Sequence, residues 1–206
     1  MLAEAAQLTL TRRYQAITRR YADGAARVVA SAWVDLGSYD PNDVARLAGR
    51  AGPVVDALSA RAASATAGYL AAILEEPVTP ATVIVEPDWD SAFIALRRSL
   101  ANGHDFADAV ESGRLRSEAV GSNAVVSTSR RAADEVAGPR IVGWRRTLSG
   151  NACQWCSTVA TQRYHSAESA DFGHDHCHCA VVPIFGEADP GRVINAEHVP
   201  LDDATR

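Results

Sequence analysis

The side chains best equipped for chemistry in this sequence are cysteines and histidines gathered toward its C-terminal end. Cys153 and Cys156 form a Cys-x-x-Cys pair, and 17 residues later His174, Cys177 and Cys179 follow as His-x-x-Cys-x-Cys, with His176 and His178 interleaved. A Cys-x-x-Cys turn brings two thiolates close enough to share a tetrahedral ion, and zinc bound by Cys and His is the common structural outcome. Binding then contributes directly to folding free energy, which suits a module of about 45 residues with few large apolar groups. Residues two apart on an extended strand share a face but lie about 6 to 7 Å apart. Cys177 and Cys179 therefore meet one ion only if the chain bends between them. Two ligand sets stay open: Cys153, Cys156, Cys177 and Cys179, or three of these thiolates with His174. Two disulfides or four plain thiols are the remaining states. A catalytic zinc would need an open coordination position and a base such as Glu168, Asp171 or Asp175, whereas thiolate-rich sites are ordinarily closed. The expected cofactor is a structural zinc.

The elements that must carry this module read as helices. Leu10, Tyr14, Ile17, Tyr21, Val28, Ala32, Trp33 and Leu36 recur mostly at three- and four-residue spacings, which predicts a first helix over roughly 5–36. After GSYDPND, Asp40 suits an N-cap and Pro41 the first helical position. A second apolar stripe runs from Val44 to Ile73, with Gly49, Gly52 and Pro53 predicting a kink or short break near residue 50. The two helices are expected to form an antiparallel hairpin with their Tyr and Trp side chains in its core. Three prolines surround the β-branched run Thr82 to Val85, so 76–90 reads as an extended connector. A helix over 91–100, a short helix near 105–110 and another over 114–137 follow, the last stopped by Gly138 and Pro139. From there RIVGWRRTLSGNACQWC loses the helical stripe, and a small β-containing module is the simpler reading. The fold expected is mainly α: a helical hairpin or bundle over 1–138, an α+β zinc-stapled module over 139–185 and a polar tail over 186–206.

Composition narrows the partners. The net charge of -5 gives no global attraction for nucleic acid, so contact with DNA needs a local patch. Every one of the 20 basic residues is Arg. Arg12, Arg13, Arg19 and Arg20 fall off the apolar stripe of the first helix, and Arg130, Arg131, Arg145 and Arg146 form further pairs. They are the candidate contacts to acidic protein surface or DNA phosphates, although solvated helix faces hold most charges of this kind. No run of about 20 apolar residues exists, and Glu4 stands where a signal peptide has basic residues, so a cytosolic protein with no membrane role is expected. Phosphate-binding loops, nucleophile elbows and His-Glu-x-x-His pairs are absent.

Trp144, Cys153-Gln-Trp-Cys156 and His174-Asp-His-Cys177-His-Cys179-Ala-Val-Val-Pro183 together resemble the C-terminal domain of the phage Mu F-like minor head proteins. There a Cys-x-x-Cys precedes His-x-x-Cys-x-Cys and a short hydrophobic strand, often with Pro. The resemblance covers 143–184, and the Ala-rich helical part before it is similar only in texture. It implies a minor capsid protein of a tailed double-stranded DNA phage or prophage, active in head morphogenesis. Such a protein is assembled in the host cytoplasm, carried in the virion, and associated with portal and capsid proteins and with packaged DNA. No small-molecule substrate and no enzymatic activity are expected. The competing reading is a metal-dependent nuclease, with His174, His176 or His178 activating water, or a partner of a capsid maturation protease. A DNA-binding module resting on the Arg pairs is the third.

Overall fold

The computed structural model describes residues 4–40, 42–148, 154–160 and 180–185 of the chain. Along these run α1 (Glu4–Val34), α2 (Asp43–Leu74), α3 (Asp90–Ala101), α4 (Phe106–Ala137), a 3-10 turn (Gly138–Arg140), β1 (Ile141–Thr147), α5 (Gln154–Ala160) and β2 (Ala180–Phe185). The protein is mainly helical, as the apolar periodicity requires. The helices and strands distribute over two compact units: Met1–Arg19, Ala63–Val83 and Ser129–Arg206 form the first, and Arg20–Ala62 with Ile84–Thr128 form the second.

In the second unit the core is built by close approach of helices. Trp33 is fully buried and contacts Phe93 at 4.8 Å between ring centroids, while its indole N–H donates to the Val110 carbonyl at 3.1 Å. Gly113 makes room for that indole. A β-carbon there would stand 2.7 Å from Trp33 Cη2 and 3.2 Å from the Ala92 carbonyl oxygen. Gly121 plays the same part against α1, where a β-carbon would lie 2.7 Å from Val29 Cγ2 and 3.0 Å from the Ala25 carbonyl oxygen. Ala22, Ala25, Leu47, Ala51, Val55, Ala124 and Val125 complete this cluster. Gly24 of α1 faces Leu58 of α2, and Trp33 faces the start of α4, so within this unit α1 runs antiparallel to both.

The sequence reading placed two helices where α4 is one. No break separates 110 from 114: α4 runs unbroken through Gly113, where close packing of Trp33 and the Ala92 carbonyl leaves no room for a side chain. Of the kink or short break expected near residue 50, the break does not occur: α2 continues through Pro53. Pro53 removes one amide donor and leaves the Gly49 carbonyl without its helical partner. Gly49 and Pro53 are both exposed, so water is at hand for that carbonyl, while Ala51 and Val55 on the other side stay buried.

Asp40 does cap the second helix. Its Oδ1 accepts from the Asn42 amide at 2.7 Å, and Asp43 reaches back to accept from the Asp40 amide at 3.2 Å, the reciprocal pattern of a capping box. Asp43 also accepts from the Ser38 hydroxyl at 2.7 Å and from Arg46. Burial pushes its carboxyl up, but the bonds from Ser38, the Asp40 amide and Arg46 outweigh burial and hold it below the usual carboxylate range.

The first unit has a different core. Tyr14 and Tyr69 stack with centroids 4.5 Å apart and planes 13° from parallel. The hydroxyls find partners at the edges of the stack: Tyr14 with Thr66 and Tyr69 with Thr11, each at 3.1 Å. Pairing of 11 with 69 and 14 with 66 sets α1 and α2 antiparallel here too. Leu70, Ala133 and Ala137 pack around the tyrosines, and so do Ile141 and Trp144 of β1. The connector between α2 and α3 has no regular secondary structure over 77–88, and its residues alternate between half-buried and exposed, as an extended chain lying on a surface must. By length and composition, α2 is long and apolar enough to cross a bilayer; its apolar face is the one seated in both clusters.

Two outcomes test this account. Gly113→Ala is expected to lower unfolding free energy by about 1–3 kcal/mol through overpacking against Trp33, read from the urea midpoint; a change inside about 0.5 kcal/mol contradicts the contact. Because Asp43 is held below its unfolded value, its contribution is complete above about pH 4 and is withdrawn as pH falls through the lower folded value. Asp43→Asn should therefore cost about 1–2 kcal/mol at neutral pH and flatten the acid side of the stability profile. An unchanged acid limb would show that another carboxylate governs it.

Candidate functional site

β1 and β2 pair antiparallel, with Thr147 opposite Ala180, Trp144 opposite Pro183 and Ile141 opposite Phe185. A register shift between Ile141 and Gly143 gives β1 one extra residue. Pro183 has no amide to donate, which is tolerated on a strand whose ladder, among the described residues, runs along one edge. β1 is seated by Trp144, fully buried, and Ile141 in the tyrosine cluster of the first unit. The ladder fixes the ends of the connection 148–179 at the Thr147–Ala180 pair. All five candidate ligands fall inside that connection in sequence.

One of the five lies on a described element. Cys156 is buried on α5, and α5 packs on β1. Cys153, His174, Cys177 and Cys179 lie outside the described residues, and so do His165, His176, His178 and His198. Among the described residues no group of three or more His, Cys, Asp or Glu side chains forms a metal cage. Topology still constrains the pattern. Cys153 is bonded to Gln154, the first residue of α5, and Cys179 is bonded to Ala180, the first residue of β2. The element carrying Cys156 and the strand that follows Cys179 both adjoin β1. Four thiols and one imidazole, one thiol buried against a strand, make a donor set suited to a closed tetrahedral zinc.

The arginines divide. Arg12, Arg13 and Arg19 are exposed on α1 in the first unit, and Arg20 is exposed on α1 in the second. Arg145 and Arg146 occupy β1 positions opposite Val182 and Val181. Arg131 is exposed, but Arg130 is only 6% exposed and is no surface contact. It lies near Tyr14, whose phenol is pushed up by burial against the opposing influence of Thr66, Ser129 and the Arg130 charge. Doublet reading could not separate the two, because adjacent helical residues point about 100° apart. A shallow cleft of about 370 Å³ also opens in the first unit, lined by residues of the connector such as Pro77, Val78 and Pro80 and by Glu135, Val136 and Arg140 of the α4 end. Arg140 is ion-paired with Glu76 beside it.

The described residues are mainly helical, and the Cys/His pattern falls in the connection between β1 and β2. The sequence model described as VG15 protein matches residues 5–198, and the chain belongs to that family. This is a viral and phage gene-product family, so the chain is a phage protein. The match does not carry the finer Mu F-like assignment. No curated protein and no solved structure matches the chain.

Zinc content gives the direct test of the donor set. Purified protein is expected to hold about one zinc per chain, with Cys156→Ser lowering both the zinc content and the melting temperature, and chelation lowering the melting temperature of the wild type alone. Metal-free protein with four titratable thiols, or with two disulfides, would remove the zinc assignment.

Proposed function

We propose that this phage protein is a minor head component that docks through its helical body on portal or capsid subunits, while a structural zinc holds the C-terminal hairpin in shape. Membership of a phage family supports the setting. The observation that carries the reading is the hairpin: β1 is anchored in the helical core by Trp144, and every candidate zinc ligand lies between its two strands in sequence. A thiolate-rich set in that position braces a terminal module and leaves no open coordination position for a substrate. The function proposed is thus one of assembly and interaction, with no enzymatic step. Arg12, Arg13, Arg19, Arg20, Arg145 and Arg146 are the basic positions that we assign to contact with an acidic protein surface or packaged DNA.

Removing the gene from the phage that encodes it is the experiment. Particles that lack DNA, or that hold DNA and fail to infect, are expected, with complementation by the wild-type gene. DNA-filled, fully infectious particles formed in its absence would end the proposal.

A further inference from the structure

With a net charge of -5 the chain as a whole offers nucleic acid no attraction, but α1 does not share that balance. It carries five Arg against two carboxylates, Glu4 and Asp23. Every exposed position described on α1 between 6 and 31 is Arg, Ala, Thr or Ser, so the solvent face of this stretch bears cations and small side chains. Asp23 is half-buried and engaged in an interaction of its own, as are Arg12 and Arg19.

Within the second unit, three further arginines gather about the contact of Gly24 with Leu58. Arg20 precedes Gly24 by one turn of α1. Arg27 follows it by three residues and folds back, its Nη2 4.0 Å from where a Gly24 β-carbon would stand. That β-carbon would lie at an ordinary 3.5 Å from Leu58 Cδ1, so packing does not demand a glycine there. What the glycine leaves is a bare stretch of helix beneath a guanidinium. α2 runs antiparallel to α1 here, so Arg61, three residues beyond Leu58, lies toward the level of Arg20. All three arginines are exposed, and none makes a hydrogen bond or ion pair among the described residues. Arg46, Arg50, Arg114 and Arg140 show the alternative, since each meets a carboxylate.

Resting on the head-assembly reading above, we infer that Arg20, Arg27 and Arg61 form a contact for the phosphate backbone of duplex DNA. A guanidinium matches a phosphate with two parallel N–H donors, and each of the three has its donors uncommitted. Seven residues of helix set Arg20 and Arg27 about 10 Å apart along the axis, so that they meet separate phosphates. An acidic protein surface fits less well, because protein interfaces draw their affinity from desolvated apolar or aromatic anchors. Among the described residues of α1, none that is large and apolar is exposed before Val34, and on α2 the exposed Val54 lies on the far side of Leu58 from Arg61. Contacts to phosphate alone carry no sequence information, so the binding is indifferent to base sequence.

The test is fluorescence anisotropy of a labelled random-sequence DNA duplex with the full chain over a series of salt concentrations. Wild type should bind at low salt and weaken steeply as salt rises, with a logarithmic slope of about 0.9 for each phosphate neutralised. Replacing Arg20, Arg27 and Arg61 together by Gln should weaken binding at low salt by about tenfold or more and reduce that slope by about 2 to 3. Its melting temperature should stay that of the wild type, because the three side chains are exposed. Replacing them by Lys should keep most of the slope. Arg97→Gln with Arg98→Gln, exposed on α3, removes charge elsewhere in the same unit and should leave the slope unchanged. If wild type does not bind the duplex at low salt, or if the Gln variant keeps the wild-type slope, the inference is overturned, while the assembly reading still stands on the gene-deletion phenotype. If the Gln variant instead loses binding to purified portal or major capsid subunits and keeps its hold on DNA, the occupant is protein and the inference is likewise overturned. Fully infectious particles formed without the gene would end the assembly reading even where DNA binding is measured.

Discussion

Trp33 can be buried in α1 only because α4 has no side chain at position 113. An indole needs a cavity on the scale of a whole aromatic ring, and helices normally stand 8 to 10 Å apart axis to axis. Removing one β-carbon lets the ring lie against the α4 backbone and lets its N–H donate to the Val110 carbonyl. Gly121, two helical turns further on, repeats the arrangement with Val29. Between and around them Ala and Ser keep the helices close. The buried Ser117 hydroxyl is satisfied locally, donating to the Arg114 carbonyl one turn earlier at 2.7 Å. A chain with few aromatics thus makes a dense core by bringing backbones together instead of filling space with side chains.

The first unit depends on a different device, because its core must accept a strand as well as helices. Two stacked tyrosines with threonine partners give a flat, fully hydrogen-bonded platform, and Trp144 and Ile141 join the same cluster. Burying a phenol without a partner would cost about 1 to 3 kcal/mol, so Thr11 and Thr66 are as much a part of the platform as the rings. Their spacing from Tyr69 and Tyr14 also fixes the axial register of α1 against α2 in this unit.

Much of this was legible in the sequence where one residue type had one reason to occur. The stripes of α1 and α2, the Asp40 cap, the extended connector and the stop at Gly138 all follow from local rules. The division of α4, the break expected beside Pro53 and the surface role given to Arg130 fail for a common reason: what decides each lies in a neighbour. In α4 an indole occupies the place of the side chain that Gly113 lacks, and in α2 Pro53 is accommodated on an exposed side of the helix. Arg130 looks like half of a surface doublet, yet helical geometry turns it inward beside Tyr14. At the candidate metal module the sequence supplied ligand types and spacing, and the structure contributes the ladder that closes the connection and one buried thiol on α5.

That ladder explains why a staple is useful in this place. An isolated two-stranded sheet is marginal in water. β1 is held by its own side chains in the helical core, whereas among the described residues the strand paired with β2 is β1. Closing a connection as long as 148–179 carries an entropy cost that rises as about (3/2)RT ln n, and only six strand pairings oppose it. Register matters too, since a slip by one residue would reverse every side chain of β2. An ion shared between Cys156 on α5 and Cys179, one residue before β2, would tie the far strand to an element already seated on β1. The proposed zinc then acts on the free energy of the hairpin itself, and the hairpin's shape, not reactivity at the metal, is what such a site would supply to an assembling phage head.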